Sequence, residues 1–248
     1  MPKPTLFHDP TSEPSRAAHW FGLEVGIDLE LELTWLTRGE HRSPGFLKIN
    51  PAHQVPALKH GEFCLPEASA IMLYLAELAA CTETWLGNTR AERANTHRFM
   101  SWHHTNTRKS ITLDYALPVL LVPAYKGDPA PAADQVERLK DNIRGSLVLL
   151  ENSLDERGGF LGGVNPSIAD LFIASDVFVL DADPARDELL GPFPAVRHWL
   201  ESLRERPACM TSLAPWNALT RRIRELLMNK DQTERDPAWV AEFCLPYI

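Results

Sequence analysis

Cysteine is scarce: Cys64, Cys81, Cys209 and Cys244 are the only four thiols among 248 residues. They form no C-x-x-C pair and no metal-ligand spacing, which sets aside a disulfide framework and predicts reduced thiols in a cytosol-like compartment. Long apolar runs are also missing, and the opening residues MPKPTLFHD carry no apolar signal region, so a soluble, cytoplasmic protein is expected. Basic charge is in deficit, with 25 Lys and Arg against 33 Asp and Glu for a formal charge of −8. That balance argues against nucleic acid or an anionic membrane as main partner, yet leaves small anions to local charge. Glycine, at 13, is outnumbered by 20 prolines, which favours defined breaks over flexible linkers. No internal repeat and no low-complexity tract is present.

What is there suffices for a real core: 44% of the residues are apolar. The first eighty residues alternate. Strand-like LFHD precedes the helical SRAAHWFG, and DLELELTWL follows with period-two alternation in its first half. After the polar TRGEHRSPGFLKINP come two short strand candidates, VPALKH and EFCL, joined at His60-Gly61. The helix PEASAIMLYLAELA then closes the segment, with Pro66 expected at its start, where a missing N–H costs nothing. From residue 90 the character is helical, over 90–122, 133–157, 167–180, 194–206 and 208–229, with breaks at KGDPAPA, ERGGFLGGVNP, DADPARDELLGPFP and Arg206-Pro207. The segment CTETWLGN is the expected linker. The expected architecture is therefore a small α/β domain over 1–80 followed by an all-helical domain over 90–248. Beyond Asn229 a charged stretch precedes the apolar DPAWVAEFCLPYI, an ending expected to dock on the core.

Several stretches admit both a structural and a chemical reading. Ser12, between the first strand and the first helix, is either a plain helix cap or a hydroxyl donated to an anion that the helix end also favours. In NPAHQVPAL, Val55-Pro56 either starts a strand or, if cis, turns the chain so that Val55 offers its N–H and C=O to an extended peptide ligand. Glu67 and Ala68, placed in the first turn of an apolar helix, read either as dipole complement or as a grip on a ligand's ammonium and carboxylate. Ser167 and Asp170 match a capping box and are read as structural. His97, His103 and His104 share a helix without a carboxylate partner, so no metal site is expected there. Arg108, beside Lys109, is either part of a solvated basic turn or an arginine aimed into an interdomain cleft to stabilise a leaving anion.

Together, S-x-P-x-R at Ser12 to Arg16, GEHRSPGFLKINPAHQVPALKHGEFCLPEASAIMLYL and the later SIAD resemble the cytosolic glutathione transferases, and most closely their theta class. SWHHTNTRKS and the apolar-ended tail are theta-like too. The resemblance implies a thioredoxin-like N-terminal domain of βαβ-αββα order, a helical C-terminal domain, a homodimer, glutathione as cosubstrate and no metal. It implies that Ser12 stabilises the glutathione thiolate and that His41 approaches the glycyl end. Gln54, Val55 and Pro56 would meet the peptide backbone, Glu67 and Ala68 the γ-glutamyl group, and Arg108 the electrophile; Trp239 either caps that electrophile pocket or packs into the helical core, the commoner role for such a residue. The family has serine where Ala68 stands; losing that charge-assisted bond is worth about 1.5–3 kcal/mol. Together with Gln54, where a cation is common, it implies either weaker glutathione affinity or a modified thiol cosubstrate.

The Ser12 stretch sits where a thioredoxin-like fold carries C-x-P-C, and here hydroxyls replace both sulfurs. That makes sense if the cosubstrate brings the sulfur and the serine hydroxyl favours its thiolate. The expected reaction is conjugation of glutathione to small electrophiles such as alkyl halides or epoxides. The alternatives are a non-catalytic binding module of the same fold, or glutathione-dependent peroxide or disulfide reduction. No base partner accompanies Ser12, which argues against hydrolysis.

Overall fold

The computed structural model describes residues 2–229 and 235–248; the charged stretch after Asn229 lies outside them. Strands β1 (Thr5–His8), β2 (Glu30–Leu33), β3 (Ala57–His60) and β4 (Phe63–Pro66) form one mixed sheet in the order β2-β1-β3-β4. β1 and β2 are parallel across the helix α1 (Glu13–Glu24), and β3 runs antiparallel to β1 and β4. Register follows the alternation: Leu6 stands opposite Leu31 on one side and Leu58 on the other, and Leu6 and Leu58 are wholly buried.

The polar stretch before β3 is partly folded, with a 3₁₀ turn at Glu40–Arg42 and α2 (Pro44–Leu47). Ser43 caps α2, its hydroxyl accepting the Phe46 N–H at 3.3 Å. α3 (Ala68–Leu78) follows β4, and α4 (Thr82–Leu86) occupies the expected linker, where Trp85 and Leu86 are buried. The helical part continues with α5 (Arg90–Thr105), a π-helix at Arg108–Leu121, α6 (Val122–Lys126), α7 (Ala133–Arg157) and α8 (Ile168–Val177). It ends with α9 (Arg186–Leu190), α10 (Pro194–Arg204), α11 (Pro207–Met228) and α12 (Trp239–Cys244). This is a thioredoxin-like domain with a mixed four-stranded sheet followed by an all-helical domain.

Besides α4 in the expected linker and α9 within the expected break DADPARDELLGPFP, two further elements differ from the sequence reading. Pro66 does not open α3. It ends β4 opposite Ala57, an edge strand where a missing N–H is tolerated, and Glu67 intervenes with φ +70° before α3 begins at Ala68. The helix expected over 90–122 is also not continuous. Asn106 takes φ −121° and ψ −93°, and its side chain donates to the Trp102 carbonyl at 2.8 Å, occupying an acceptor the next helical turn needs. Beyond it the chain winds as a π-helix that contains Pro118, a residue without the N–H an α-helical ladder would require.

The core runs through both domains. α1 packs against α3 on one side and α8 and α11 on the other, with Ala17 and Ala18 wholly buried at the close approach. Arg16 is buried within this seam; its guanidinium donates to the Thr11 carbonyl at 2.8 Å and the Ser175 carbonyl at 3.2 Å and lies 4.7 Å from the centre of the Trp216 ring. Asp170 accepts from the N–H and hydroxyl of Ser167, the N–H of Leu161 and the indole of Trp199, which fixes the start of α8. α12 is docked, with Val240, Ala241 and Cys244 wholly buried. Among the described residues, no helix is long and apolar enough to cross a membrane.

Candidate active site

The turn between β1 and α1 is built around Asp9. Its buried carboxylate accepts the Thr11 N–H at 2.8 Å and the Thr11 hydroxyl at 2.7 Å on one oxygen, and the Leu36 N–H at 2.8 Å on the other. The Ser12 N–H donates to the Asp9 carbonyl at 3.0 Å, and the Ser12 carbonyl accepts from Arg16. Ser12 thus occupies the cap position of α1, but its hydroxyl caps nothing in the helix. It has no hydrogen-bond partner among the described residues, although only 7% of the residue is exposed. A buried hydroxyl held by its backbone and unused by its helix is available to a ligand.

Two cavities meet at that residue. The first, about 350 Å³, is lined by Ser12, Asn50, His53, Gln54, Val55, Pro56, Glu67, Ala68, His104, Arg108 and Phe172, among others. The second, about 600 Å³, takes Ser12, Glu13, Arg38, His41, Arg42, Thr112, Tyr125 and Lys126 with apolar wall from Leu117, Leu121 and Val122. Ser12, Leu36 and Arg108 line both.

Backbone shapes the first cavity. The Val55-Pro56 bond is cis, and among the described residues neither the N–H nor the C=O of Val55 takes a partner. Asn50, 2% exposed, holds the approach to it: its amide donates to the Gln54 carbonyl at 2.7 Å and its oxygen accepts the Ala52 N–H at 3.0 Å. On the opposite side Glu67 sits at φ +70°, a sparsely populated region for a residue with a Cβ, and presents the free N–H groups of α3. Strain of this kind, of order 1–3 kcal/mol, clusters at ligand sites.

Charge gathers where the cavities join. Nη1 of Arg108 donates to Glu13 at 3.3 Å and to Asp176 at 3.2 Å. Burial alone would depress this guanidinium, but Asp176 and Glu13 outweigh it and hold its pKa above the ordinary value. Asp176 also accepts the Thr112 hydroxyl at 2.5 Å and lies 3.0 Å from His103 Nε2, off the hydrogen-bonding direction. Burial, then His104 and Arg108, push His103 well below its usual range, so the ring is neutral and its Nδ1 pairs with the Thr107 hydroxyl at 3.0 Å. His41 is lowered by burial and by Arg42 and His53. Among the described residues, no group of three His, Cys, Asp or Glu is placed to hold a metal.

The structure brings Ser12, Gln54, Val55, Pro56, Glu67, Ala68 and Arg108 onto one cavity. His41 lines the second cavity instead. Trp239 lines neither; its indole donates to the Tyr125 carbonyl at 3.2 Å and its ring meets Tyr125 edge-on, so it backs a wall residue. Sequence reasoning passed over Asn50, Glu13, Asp176 and Tyr125. Only Asn50 carried a signal, being a turn-forming residue just before Pro51.

Residues 2–77 match the family described as "Glutathione S-transferase, N-terminal domain", and residues 133–202 the one described as "Glutathione S-transferase, C-terminal domain". Glutathione S-transferase T1 of Arabidopsis thaliana is 35% identical over 211 residues, covering 83% of this chain and 84% of the relative. Glutathione S-transferase theta-1 of Homo sapiens is 32% identical over 172 residues, 69% of this chain and 71% of the relative. Glutathione S-transferase T2 of Arabidopsis thaliana is 36% identical over 206 residues, or 81% of this chain, which spans only 34% of that longer relative. Among solved structures, a human theta-class glutathione transferase in complex with the glutathione conjugate of 1-menaphthyl sulfate superposes with a TM-score of 0.80 at 28% identity, over 100% of this chain and 98% of its own. Human glutathione transferase theta-2, in complex with glutathione and an unknown ligand, gives 0.78 at 27% identity, covering 98% of each chain.

Proposed function

The chain belongs to the glutathione S-transferase family and is a glutathione-dependent transferase like its theta-class relatives, and from that premise we propose how its own residues divide the work. Glutathione occupies the first cavity. Its peptide backbone pairs with the Val55 N–H and C=O beside Gln54 and Pro56, its γ-glutamyl ammonium meets Glu67, and its γ-glutamyl carboxylate meets the N–H groups that α3 offers from Ala68. The thiol then lies at the junction, against the Ser12 hydroxyl. The electrophile enters through the second cavity, with His41 toward the glycyl end and Arg108 beside the departing or developing anion.

The observation that carries this reading is the Ser12 hydroxyl: committed to no protein partner, it stands where the two cavities meet. Donated to a sulfur, it favours thiolate over thiol. Each pKa unit by which a thiol falls from about 8.5 corresponds to about 1.4 kcal/mol, within reach of one hydrogen bond to an anion. The thiolate attacks the electrophilic carbon, the carbon–sulfur bond forms, and a halide or the opened epoxide oxygen takes the electron pair, the latter then being protonated from solvent. Alkyl halides and epoxides are the electrophile classes proposed.

The deciding experiment titrates the far-ultraviolet thiolate absorbance of bound glutathione against pH, with wild-type protein and Ser12→Ala. A thiolate near neutral pH that disappears in the variant is the expected result; identical titrations in both would overturn the role given to Ser12. We further propose domains at 1–80 and 90–248, a homodimer and a cytoplasmic location, the dimer being checked by solution mass.

A further inference from the structure

Arg108 is tied at one nitrogen only. Glu13 from α1 and Asp176 from α8 both converge on Nη1, while Nη2 and Nε have no partner among the described residues. The Nε–Nη2 edge is the fork geometry that grips an oxyanion with two parallel hydrogen bonds. One side chain that lines both cavities beside Ser12 thus has its inner edge anchored and its outer fork open.

The anchor is itself anchored. The Asp176 side chain is 2% exposed; Oδ1 takes the Thr112 hydroxyl at 2.5 Å as well as Arg108, and Oδ2 faces the wholly buried ring of His103. Glu13 is anchored differently, its side chain having Arg108 as its only partner among the described residues. Of the two carboxylates, Asp176 therefore sets where the guanidinium sits.

We propose that Asp176 is the positioning residue for Arg108, holding Nη1 so that the Nε–Nη2 fork is presented to negative charge at the junction of the two cavities. The inference rests on the first cavity being the glutathione site. Its effect is selective by charge: Asp176 matters for ligands with an anion at the sulfur position and not for the rest of the peptide.

Two peptides that differ only there provide the test: glutathione sulfonate, with a fixed negative charge at sulfur, and S-methylglutathione, with none. Binding is measured by calorimetry on the full chain. Asp176→Asn keeps the shape and leaves Glu13 to balance Arg108. It is expected to weaken glutathione sulfonate about tenfold, the loss of one well-made charge-assisted contact, and leave S-methylglutathione unchanged. Thr112→Val, which frees Oδ1 without touching charge, gives a smaller loss with the same selectivity and stands in should the first variant fold poorly. In Arg108→Ala the sulfonate is weakened too, and adding Asp176→Asn costs nothing more, because the second residue acts through the first. Equal losses for both peptides, no loss for either, or additive losses in the double variant would each overturn the proposal. Wild-type protein that binds neither peptide would instead overturn the assignment of the first cavity.

Discussion

His8 ends β1 with 2% of its surface exposed, and neither ring nitrogen has a partner among the described residues. Burial first, and then the neighbouring His19, lower its pKa to about 3; burial lowers His19 to about 4. Both rings are therefore neutral in the fold at pH 5, whereas in the unfolded chain they titrate near 6.5. Between those values the unfolded state binds more protons, so stability rises with pH and is lost on acidification, down to the folded-state values. From pH 7 to pH 5 each ring removes about 2 kcal/mol, roughly 1.4 for each unit below 6.5. Asp9, Asp170 and Asp176 are raised by burial and act in the opposite sense, so the wild-type slope alone does not isolate His8. The difference between wild type and His8→Phe does. Denaturant unfolding at pH 7, 6 and 5 should show the variant losing about 2 kcal/mol less than wild type across that range, whatever its absolute stability at pH 7. Parallel slopes would refute the buried neutral imidazole.

Asn50→Ala removes the two bonds that hold the loop before Val55; Gln54 and Ala52 are exposed enough for water to replace them, so a stability cost of only about 1–2 kcal/mol is expected. The larger effect falls on binding: KM for glutathione should rise several-fold with kcat nearly unchanged, and Asn50→Asp, which points a carboxylate at the Gln54 carbonyl, should be worse than Ala in steady-state assays. Asp170→Ala strands five donors, among them the buried Trp199 indole, and should cost about 3–5 kcal/mol, read as a fall in Tm of the whole chain.

The sheet was legible because its strands are short, alternate and are bounded by turn residues; Leu6 and Leu58 declare their buried row in the letters alone. The Asp170 cap was equally plain, since its partner Ser167 lies three residues away. The ionic group around Arg108 was not. Its members are Glu13, Arg108 and Asp176, at the N-terminus of α1, the start of a π-helix and the end of α8, and nothing local says that a tertiary contact over 68 or 95 residues joins them. The displacement of Pro66 escaped for a related reason: a proline suits both the end of an edge strand and the start of a helix, and only pairing with Ala57 decides between them. Trp239 shows the converse, a conspicuous letter whose indole is already engaged by a main-chain carbonyl.

The π-helix has a consequence for how this enzyme can change. Arg108, Thr112, Leu117 and Leu121 line the second cavity at intervals of four, five and four residues. An α-helix of about 3.6 residues per turn would carry those side chains progressively around its axis, whereas a helix whose bonds close over five residues keeps them in file. The wall is thus a matter of winding as much as composition. Exchanging the side chain at Thr112, Leu117 or Leu121 alters the surface one patch at a time. Deleting a single residue between them turns the rest of the file away from the ligand, so diversification in this pocket should proceed by substitution at constant length.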